Sequence, residues 1–266
     1  MAIELNIYRD DVIDLATFRK AVIEKVDPED PHTLQRVAGE LVALANNREL
    51  LMKRLKMDLQ TWRNPDFAMY SAQSAILDRF GVFSVRVNFW LADLQTTEEL
   101  SALSYNSYHD HNFDFITTNV FGPGYSTSIF EYSRQNVKGE VGESVEMVDV
   151  GEVILSRGKV LVFRNGIDIH SQRPPLDASA SLNLIINSPS SIFEDQYYFD
   201  VQRKIIIGMV ENASSRRINM LGFGAFFSDE KSIEALTEIS ESFNCQRTRT
   251  AAREVLRSAE KHREPA

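Results

Sequence analysis

Apolar residues between positions 11 and 63 recur at the three- and four-residue spacing of helices. Leu15 and Phe18 carry this stripe first, and Leu41 and Leu44 continue it further along the chain. A pair of prolines between the two stretches indicates a break between helices. Because no residue pattern here indicates chemistry, we predict a helical layer that packs on the core of the protein.

From Val82 onward the pattern changes to the two-residue alternation that is typical of strands. The segment from Val82 to Trp90 alternates and is rich in β-branched and aromatic residues. Similar segments follow at residues 108–118, 125–132, 145–155, 159–164 and 181–187. Glycine and proline turns separate them without an intervening helical pattern, which predicts an antiparallel sandwich or barrel.

Beyond Pro189 the helical pattern returns, with a helix start at Ser228 that is followed by acidic residues. The charged tail from Arg247 predicts a surface helix. The chain is therefore expected to be mainly β with flanking helices. We predict three regions, which are an N-terminal helical region at 1–80, a β barrel at 81–200 and a C-terminal helical region at 201–266.

Composition excludes several classes of function. The 266 residues include 29 Lys and Arg against 38 Asp and Glu, a net charge of −9 that disfavours nucleic-acid binding. The single cysteine, Cys245, excludes an internal disulfide framework. The N-terminus lacks the features of a signal peptide, and no run approaches the roughly 20 apolar residues of a membrane span. We expect a cytoplasmic protein without nucleic-acid or membrane partners.

The candidate chemistry lies in the β region, which holds three of the five histidines. Alternate side chains of a strand share a face, so His109 and His111 should project together while Asp110 points away. His170 follows a strand and a turn that contains Asn165 and Gly166. We predict that these three imidazoles converge on one metal ion.

These residues resemble the two sequence motifs of the cupin superfamily. His109, His111 and Gly122 match the first motif, and Gly158, the Asn165–Gly166 pair and His170 match the second with one extra residue. Leu103 stands at the opening glycine of the first motif, Arg164 at the proline of the second and Pro174 at its final asparagine. The resemblance implies a double-stranded β-helix, or jelly-roll barrel. It also allows a homodimer that pairs through strand edges.

Phe115 stands where the first cupin motif has a glutamate. This substitution leaves His109, His111 and His170 as a neutral triad. Asp114 is the nearby carboxylate, and alternation places it on the opposite face unless a bulge intervenes. Three alternatives remain open. The metal could be held by the three histidines alone or by the three histidines with Asp114, or the chain could have no metal site.

A three-histidine cupin resembles the thiol dioxygenases, which implies Fe(II), dioxygen and a small polar substrate such as an amino acid or its derivative. The N-terminal helices and the lack of a cysteine near the histidines depart from that family. We therefore take the metal centre, but not the thiol substrate, as what the resemblance implies for this chain. One alternative is a 2-oxoglutarate-dependent Fe(II) oxygenase, although Ala180 stands where such enzymes hold the co-substrate and Arg173 is the nearest basic residue. Another is a cupin that binds zinc or a small molecule without redox chemistry.

Other side chains are candidates for the pocket. Arg86 and Asn88 share a strand face, and an inward Arg86 would suit a substrate carboxylate. Tyr125 could donate a hydrogen bond to substrate or dioxygen, and Arg164 and Gln172 flank His170 as further substrate-binding candidates. For each of these residues, a solvent-facing, packed or loop role is the competing interpretation.

Overall fold

The computed structural model describes residues 3–61, 73–92, 96, 100, 103, 105–189, 191, 194–210, 213–224, 229–243 and 245–263. The helices are α1 Leu15–Lys25, α2 Ala38–Ala45, α3 Arg48–Thr61, α4 Ala213–Gly224, α5 Glu230–Ser242 and α6 Gln246–Arg263, with 3₁₀ turns at Pro31–Val37 and Arg134–Asn136. The strands are β1 Ile3–Asn6, β2 Ser74–Phe80, β3 Phe83–Trp90, β4 Tyr108–His109, β5 Asp114–Phe121, β6 Ser126–Glu131, β7 Val148–Ile154, β8 Lys159–Phe163, β9 Asp168–Arg173, β10 Ser179–Ile186, β11 Tyr197–Asp200 and β12 Ile205–Met209.

The strands form two six-stranded antiparallel sheets. The first sheet has the order β1-β8-β5-β10-β3-β2, and the second has the order β12-β11-β4-β9-β6-β7. The eight strands β3–β10 thus contribute β8-β5-β10-β3 to one sheet and β4-β9-β6-β7 to the other, which is the strand order of a jelly roll. This topology confirms the predicted cupin-type β fold with flanking helices.

The N-terminal helices cover the outer face of the first sheet. Asp14 caps α1 by accepting a hydrogen bond of 2.8 Å from the backbone N–H of Thr17. Phe18 of α1 and Leu41 of α2 are fully buried against Val85 and other apolar residues of this sheet face. The predicted helical layer is therefore present, and apolar burial attaches it to the barrel.

The inner face of the first sheet points into the barrel. Trp90, Phe115, Tyr125 and Phe163 belong to one buried cluster between the sheets. Trp90 donates a hydrogen bond of 2.9 Å from Nε1 to Ser181 Oγ, which satisfies its indole inside this interior. Alternation then places Asn88 and Arg86, two and four positions before Trp90, on the same inner face.

The predicted regional boundaries do not coincide with the sheets. Strands β1 and β2 lie within residues 1–80 and join the first sheet, and β12 lies within residues 201–266 and joins the second. The division into domains stays a prediction. Residues 62–72, where the N-terminal helical pattern was expected to end, lie outside the described part of the chain.

The C-terminal helices have a hydrophobic cluster of their own, which includes Leu221, Leu236 and Val255. Helix α5 begins at Glu230, after the N-cap Asp229, close to the start predicted at Ser228. Across the described residues, every helix is too short or too polar to cross a bilayer.

Candidate metal centre

The second sheet brings the three predicted histidines together. His109 of β4 lies directly opposite His170 of β9 in the strand pairing. His111 follows two residues later, and one ring nitrogen from each of the three histidines lies within 4.8 Å of the others. His109 Nε2 and His170 Nε2 are 3.3 Å apart. The expected convergence of the three imidazoles is confirmed.

The hydrogen bond of His109 sets its tautomer. Its Nδ1 lies 2.9 Å from the carbonyl oxygen of Ser107, which can only accept, so Nδ1 carries the proton. Nε2 therefore presents a lone pair toward the other two rings. A backbone carbonyl that orients a histidine in this way is a common arrangement behind metal ligands.

The electrostatic environment keeps the triad neutral at pH 7. Burial lowers the pKa of His109, and it lowers the pKa values of His111 and His170 well below the ordinary value of 6.5. The positive charge of Arg86 lowers all three further. Neutral imidazole is the form that binds metals, so the pocket favours the ligating state.

Aromatic rings enclose the triad on one side. Phe113 stacks on His111 with ring centroids 4.4 Å apart, and Phe163 meets His170 edge to face at 4.5 Å. Phe115, at the glutamate position of the cupin motif, packs against His111 at 5.3 Å. An apolar ring thus occupies the place beside the triad from which a carboxylate ligand would come.

Asp114 is engaged elsewhere. Its Oδ1 accepts a hydrogen bond of 2.9 Å from the backbone N–H of Asn165, and burial raises the pKa of its carboxyl. Within the described residues, the cluster of potential metal ligands consists of the three histidines without Asp114. The geometry favours the neutral triad over the alternative with a fourth carboxylate ligand.

The structure places Arg86, Asn88 and Tyr125 in or beside the barrel interior. Arg86 and Asn88 are half-buried on the inner face of β3, and Asn88 Oδ1 is a buried acceptor without a hydrogen bond among the described residues. Tyr125 is buried with its ring 4.0 Å from that of Trp90, and burial raises the pKa of its phenol. Their substrate and catalytic roles remain predictions.

Arg164 and Gln172 occupy different environments. The guanidinium of Arg164 binds Asp168 and Glu131, each through Nη2 at 2.7 Å. These two carboxylates compensate the positive charge of Arg164 without a ligand. Gln172 is buried on β9, two residues beyond His170 and therefore on the same strand face. Gln172 is therefore a candidate for the pocket, and a substrate-binding role of Arg164 stays a prediction.

Sequence reasoning missed several neighbours of the triad. Tyr198 of β11 pairs directly with His109, and the two rings lie 6.2 Å apart. Gln196 lies beside His111 and raises its pKa slightly against the effect of burial. Both residues come from a segment after Pro189 whose pattern was interpreted as helical, so the sequence offered no signal for them.

The spacing of His109 and His170 fits a divalent metal. Two imidazole nitrogens that bind one ion each lie about 2.1 Å from it. With a nitrogen–metal–nitrogen angle between about 90° and the tetrahedral angle, the two nitrogens are then about 3.0–3.4 Å apart. The observed 3.3 Å between His109 Nε2 and His170 Nε2 lies in this range. Three neutral nitrogen ligands suit iron and zinc alike.

Comparisons with known proteins find matches among solved structures. No protein-family model and no curated protein sequence matches the chain. Solved structures that match include RmlC from Streptococcus suis, with 10% identity over 40% of this chain and 44% of that one and a TM-score of 0.25. They also include the DMSP lyase DddQ from Ruegeria pomeroyi, with 13% identity over 48% and 55% of the chains and a TM-score of 0.26.

Salicylate 1,2-dioxygenase from Pseudaminobacter salicylatoxidans also matches, with 10% identity over 52% of this chain and 33% of that one and a TM-score of 0.29. The chain thus spans between a third and just over half of the length of these three proteins. The assignment of a cupin-type barrel with a three-histidine site rests on the strand order and the triad described above.

Proposed function

We propose that this protein is a non-haem Fe(II)-dependent oxygenase that acts on a small anionic substrate, for example an amino acid or another carboxylate. The observation that carries the proposal is the convergence of three neutral imidazoles at one point inside the barrel. His109, His111 and His170 would hold the iron. When bound, Fe(II) supplies the one-electron chemistry that activates dioxygen.

The charge of the pocket supports an anionic substrate. The neutral triad would leave the full charge of a divalent ion uncompensated by its ligands. Arg86 adds a positive charge that acts on all three rings. Both charges would attract a substrate carboxylate, and charged hydrogen bonds of this kind are stronger in a buried setting than in water.

The side chains of the barrel then have distinct roles. Arg86 would bind the substrate carboxylate, while Asn88 and Gln172 would orient polar groups of the substrate. Tyr125 keeps its phenolic proton at neutral pH, as any tyrosine does, and burial raises its pKa further, so its hydroxyl can donate a hydrogen bond into the pocket. The wall that includes Phe115 and Phe163 would exclude water from this space.

Oxygen uptake tests this function. Metal-free protein is reconstituted with Fe(II) without air, and uptake is measured across a panel of amino acids and small carboxylates, with and without 2-oxoglutarate. We expect uptake with at least one anionic substrate and no requirement for 2-oxoglutarate. Uptake that requires 2-oxoglutarate would establish the alternative of a 2-oxoglutarate-dependent oxygenase. Arg86 would then be the residue that binds the co-substrate, because Arg173 is exposed and binds Glu152. Absence of uptake in every condition would overturn the oxygenase proposal.

The metal site has a test that is independent of activity. His111→Ala should reduce bound metal from about one ion per chain to a small fraction, because two imidazoles hold a divalent ion far less tightly than three. His32→Ala is the matched control, since His32 is exposed on the 3₁₀ turn Pro31–Val37. Elemental analysis and far-UV circular dichroism report metal and fold. Full metal content in folded His111→Ala would contradict the assignment.

A zinc-dependent, non-redox function is the second candidate. The separation of 3.3 Å between His109 Nε2 and His170 Nε2 fits a tetrahedral site as well as an octahedral one. Zinc accepts three histidines and a water readily. Turnover of a carboxylate substrate by the zinc-loaded protein, without oxygen uptake by the iron-loaded protein, would favour this candidate.

A further inference from the structure

The residue between the two neighbouring histidines is a fully buried carboxylate. Asp110 has no exposed surface and points away from the triad. Its Oδ2 accepts a hydrogen bond of 2.5 Å from the Tyr132 hydroxyl and one from Arg134 Nη2, and its Oδ1 accepts one of 2.6 Å from the backbone N–H of Tyr197. Removal of any of these donors would leave part of a buried charge without compensation.

Arg134 extends this network to the backbone of the triad. Its Nη2 also donates to the carbonyl oxygen of His111 at 3.1 Å. The same carbonyl accepts a hydrogen bond of 3.2 Å from the backbone N–H of Gly166. Arg134 therefore contacts both the side chain of Asp110 and the main chain of the following metal-ligand residue.

Arg134 also binds the turn that leads to the third histidine. Its Nη1 donates to Asn165 Oδ1 at 2.7 Å, and its backbone N–H donates to the carbonyl oxygen of Gly166 at 3.1 Å. The Asn165–Gly166 turn directly precedes β9, which carries His170. One guanidinium thus joins the segment of His109 and His111 to the segment of His170.

Gly166 allows this close approach. Its φ is +64°, and an added Cβ would lie 3.1–3.2 Å from the Cβ, Nε and Cζ atoms of Arg134. Any larger residue here would displace the Arg134 side chain as well as strain the backbone. The turn and the arginine are therefore fitted to each other.

We propose that Arg134 is a positioning residue that fixes the placement of His109 and His111 relative to His170, and so sets the geometry of the metal site. It acts from behind the ligands, through Asp110, the His111 carbonyl and the Asn165–Gly166 turn. The proposal rests on the proposed function only in requiring that the triad binds a metal.

Co²⁺ titration of the full-length metal-free protein tests this role, because the visible absorption of Co²⁺ reports both affinity and coordination geometry. Arg134→Lys keeps a positive charge for Asp110, but one ammonium cannot reproduce the planar fork that reaches Asp110, His111 and Asn165 together. We expect this variant to bind Co²⁺ roughly 10–100-fold more weakly, with an altered absorption spectrum. Gly166→Ala should shift both readouts in the same direction, although Arg134 is retained.

Leu41→Ala is the control for general loss of stability, because Leu41 is fully buried in the helical layer on the outer face of the first sheet. It should lower the melting temperature and leave the affinity and spectrum of Co²⁺ unchanged. A folded Arg134→Lys with wild-type affinity and spectrum would overturn the positioning role. If Arg134→Lys does not fold, an unchanged Gly166→Ala overturns it instead. A wild-type protein that binds no Co²⁺ would overturn the metal site and this role together.

Discussion

At the scale of single residues, the charge of Arg86 is the feature that would link the proposed metal site to an anionic substrate. This charge lowers the pKa values of His109, His111 and His170. In metal-free protein, Arg86→Met should therefore raise the pKa values of the three imidazoles, and Arg86→Lys should raise them less. NMR titration of the histidine C2–H signals measures both. Unchanged values in Arg86→Met would show that Arg86 does not face the triad.

The buried histidines also predict how stability depends on pH in the absence of metal. Their folded-state pKa values lie below the unfolded value of about 6.5, so the unfolded state binds protons first as pH falls. The stability contributed by the neutral rings is complete above about pH 6.5 and decreases below it, by up to about 4 kcal/mol per pH unit if all three respond.

Urea unfolding of the metal-free protein between about pH 5 and pH 8 measures this dependence. His111→Ala removes one titrating group and should reduce the slope by about a third. A free energy of unfolding that stays constant from pH 7 to pH 5 would contradict the burial of these rings.

At the scale of elements, the turn before β6 depends on a glycine. Gly124 has a φ of +86°, and an added Cβ would lie 2.0 Å from the carbonyl oxygen of Leu155. Gly142 is a matched control, because its φ is +90° and a Cβ there would have no heavy atom within 4 Å. Gly124→Ala should lose roughly 2–5 kcal/mol of stability, and Gly142→Ala about 1–2 kcal/mol, since both acquire backbone strain but only the first also acquires a steric clash. Equal losses in chemical denaturation would argue against this geometry.

The alternating pattern predicted which side chains share a strand face, because local backbone geometry controls this. It did not predict which strands pair or which distant residues are in contact. It placed His109 and His111 on one side of a strand with Asp110 on the other, because alternation is intrinsic to extended backbone. The strand expected at residues 108–118 is in fact two strands, β4 and β5, which lie in different sheets. The contact of Arg134 with Asp110 spans 24 positions, and no local pattern encodes such a contact.

Short strands at or near the sheet edges were missed for a related reason. The four residues of β1, Ile3–Asn6, pair with β8 across more than 150 positions, and β11 and β12 pair with each other after a segment without strong alternation. Their strand conformation depends on sheet partners rather than on intrinsic preference. The motif resemblance located the three converging histidines and the jelly-roll core, while the strands that extend each sheet to six needed the structure.

At the scale of the whole molecule, the two helical regions differ in how they depend on the barrel. The N-terminal helices share a continuous buried cluster with the outer face of the first sheet. The C-terminal helices α4–α6 bury Leu221, Leu236 and Val255 mainly among themselves. Their polar contacts with the barrel include Arg247 with Met209 of β12, and Asp195, which lies 3.4 Å from Arg247 and 3.6 Å from the thiol of Cys245.

This difference predicts opposite results for two truncations. A chain that ends at Val210, just after β12, should fold and retain one metal ion, because both sheets and all three histidines remain. A chain that lacks residues 1–61 should aggregate, because it exposes the apolar outer face that includes Val85, Ile116 and Leu184, and it also loses β1 from the sheet edge. Size-exclusion chromatography and metal analysis compare the two chains. If the chain ending at Val210 were unfolded and the one lacking residues 1–61 were folded, the C-terminal helices rather than the N-terminal layer would be the part of the molecule that completes the barrel.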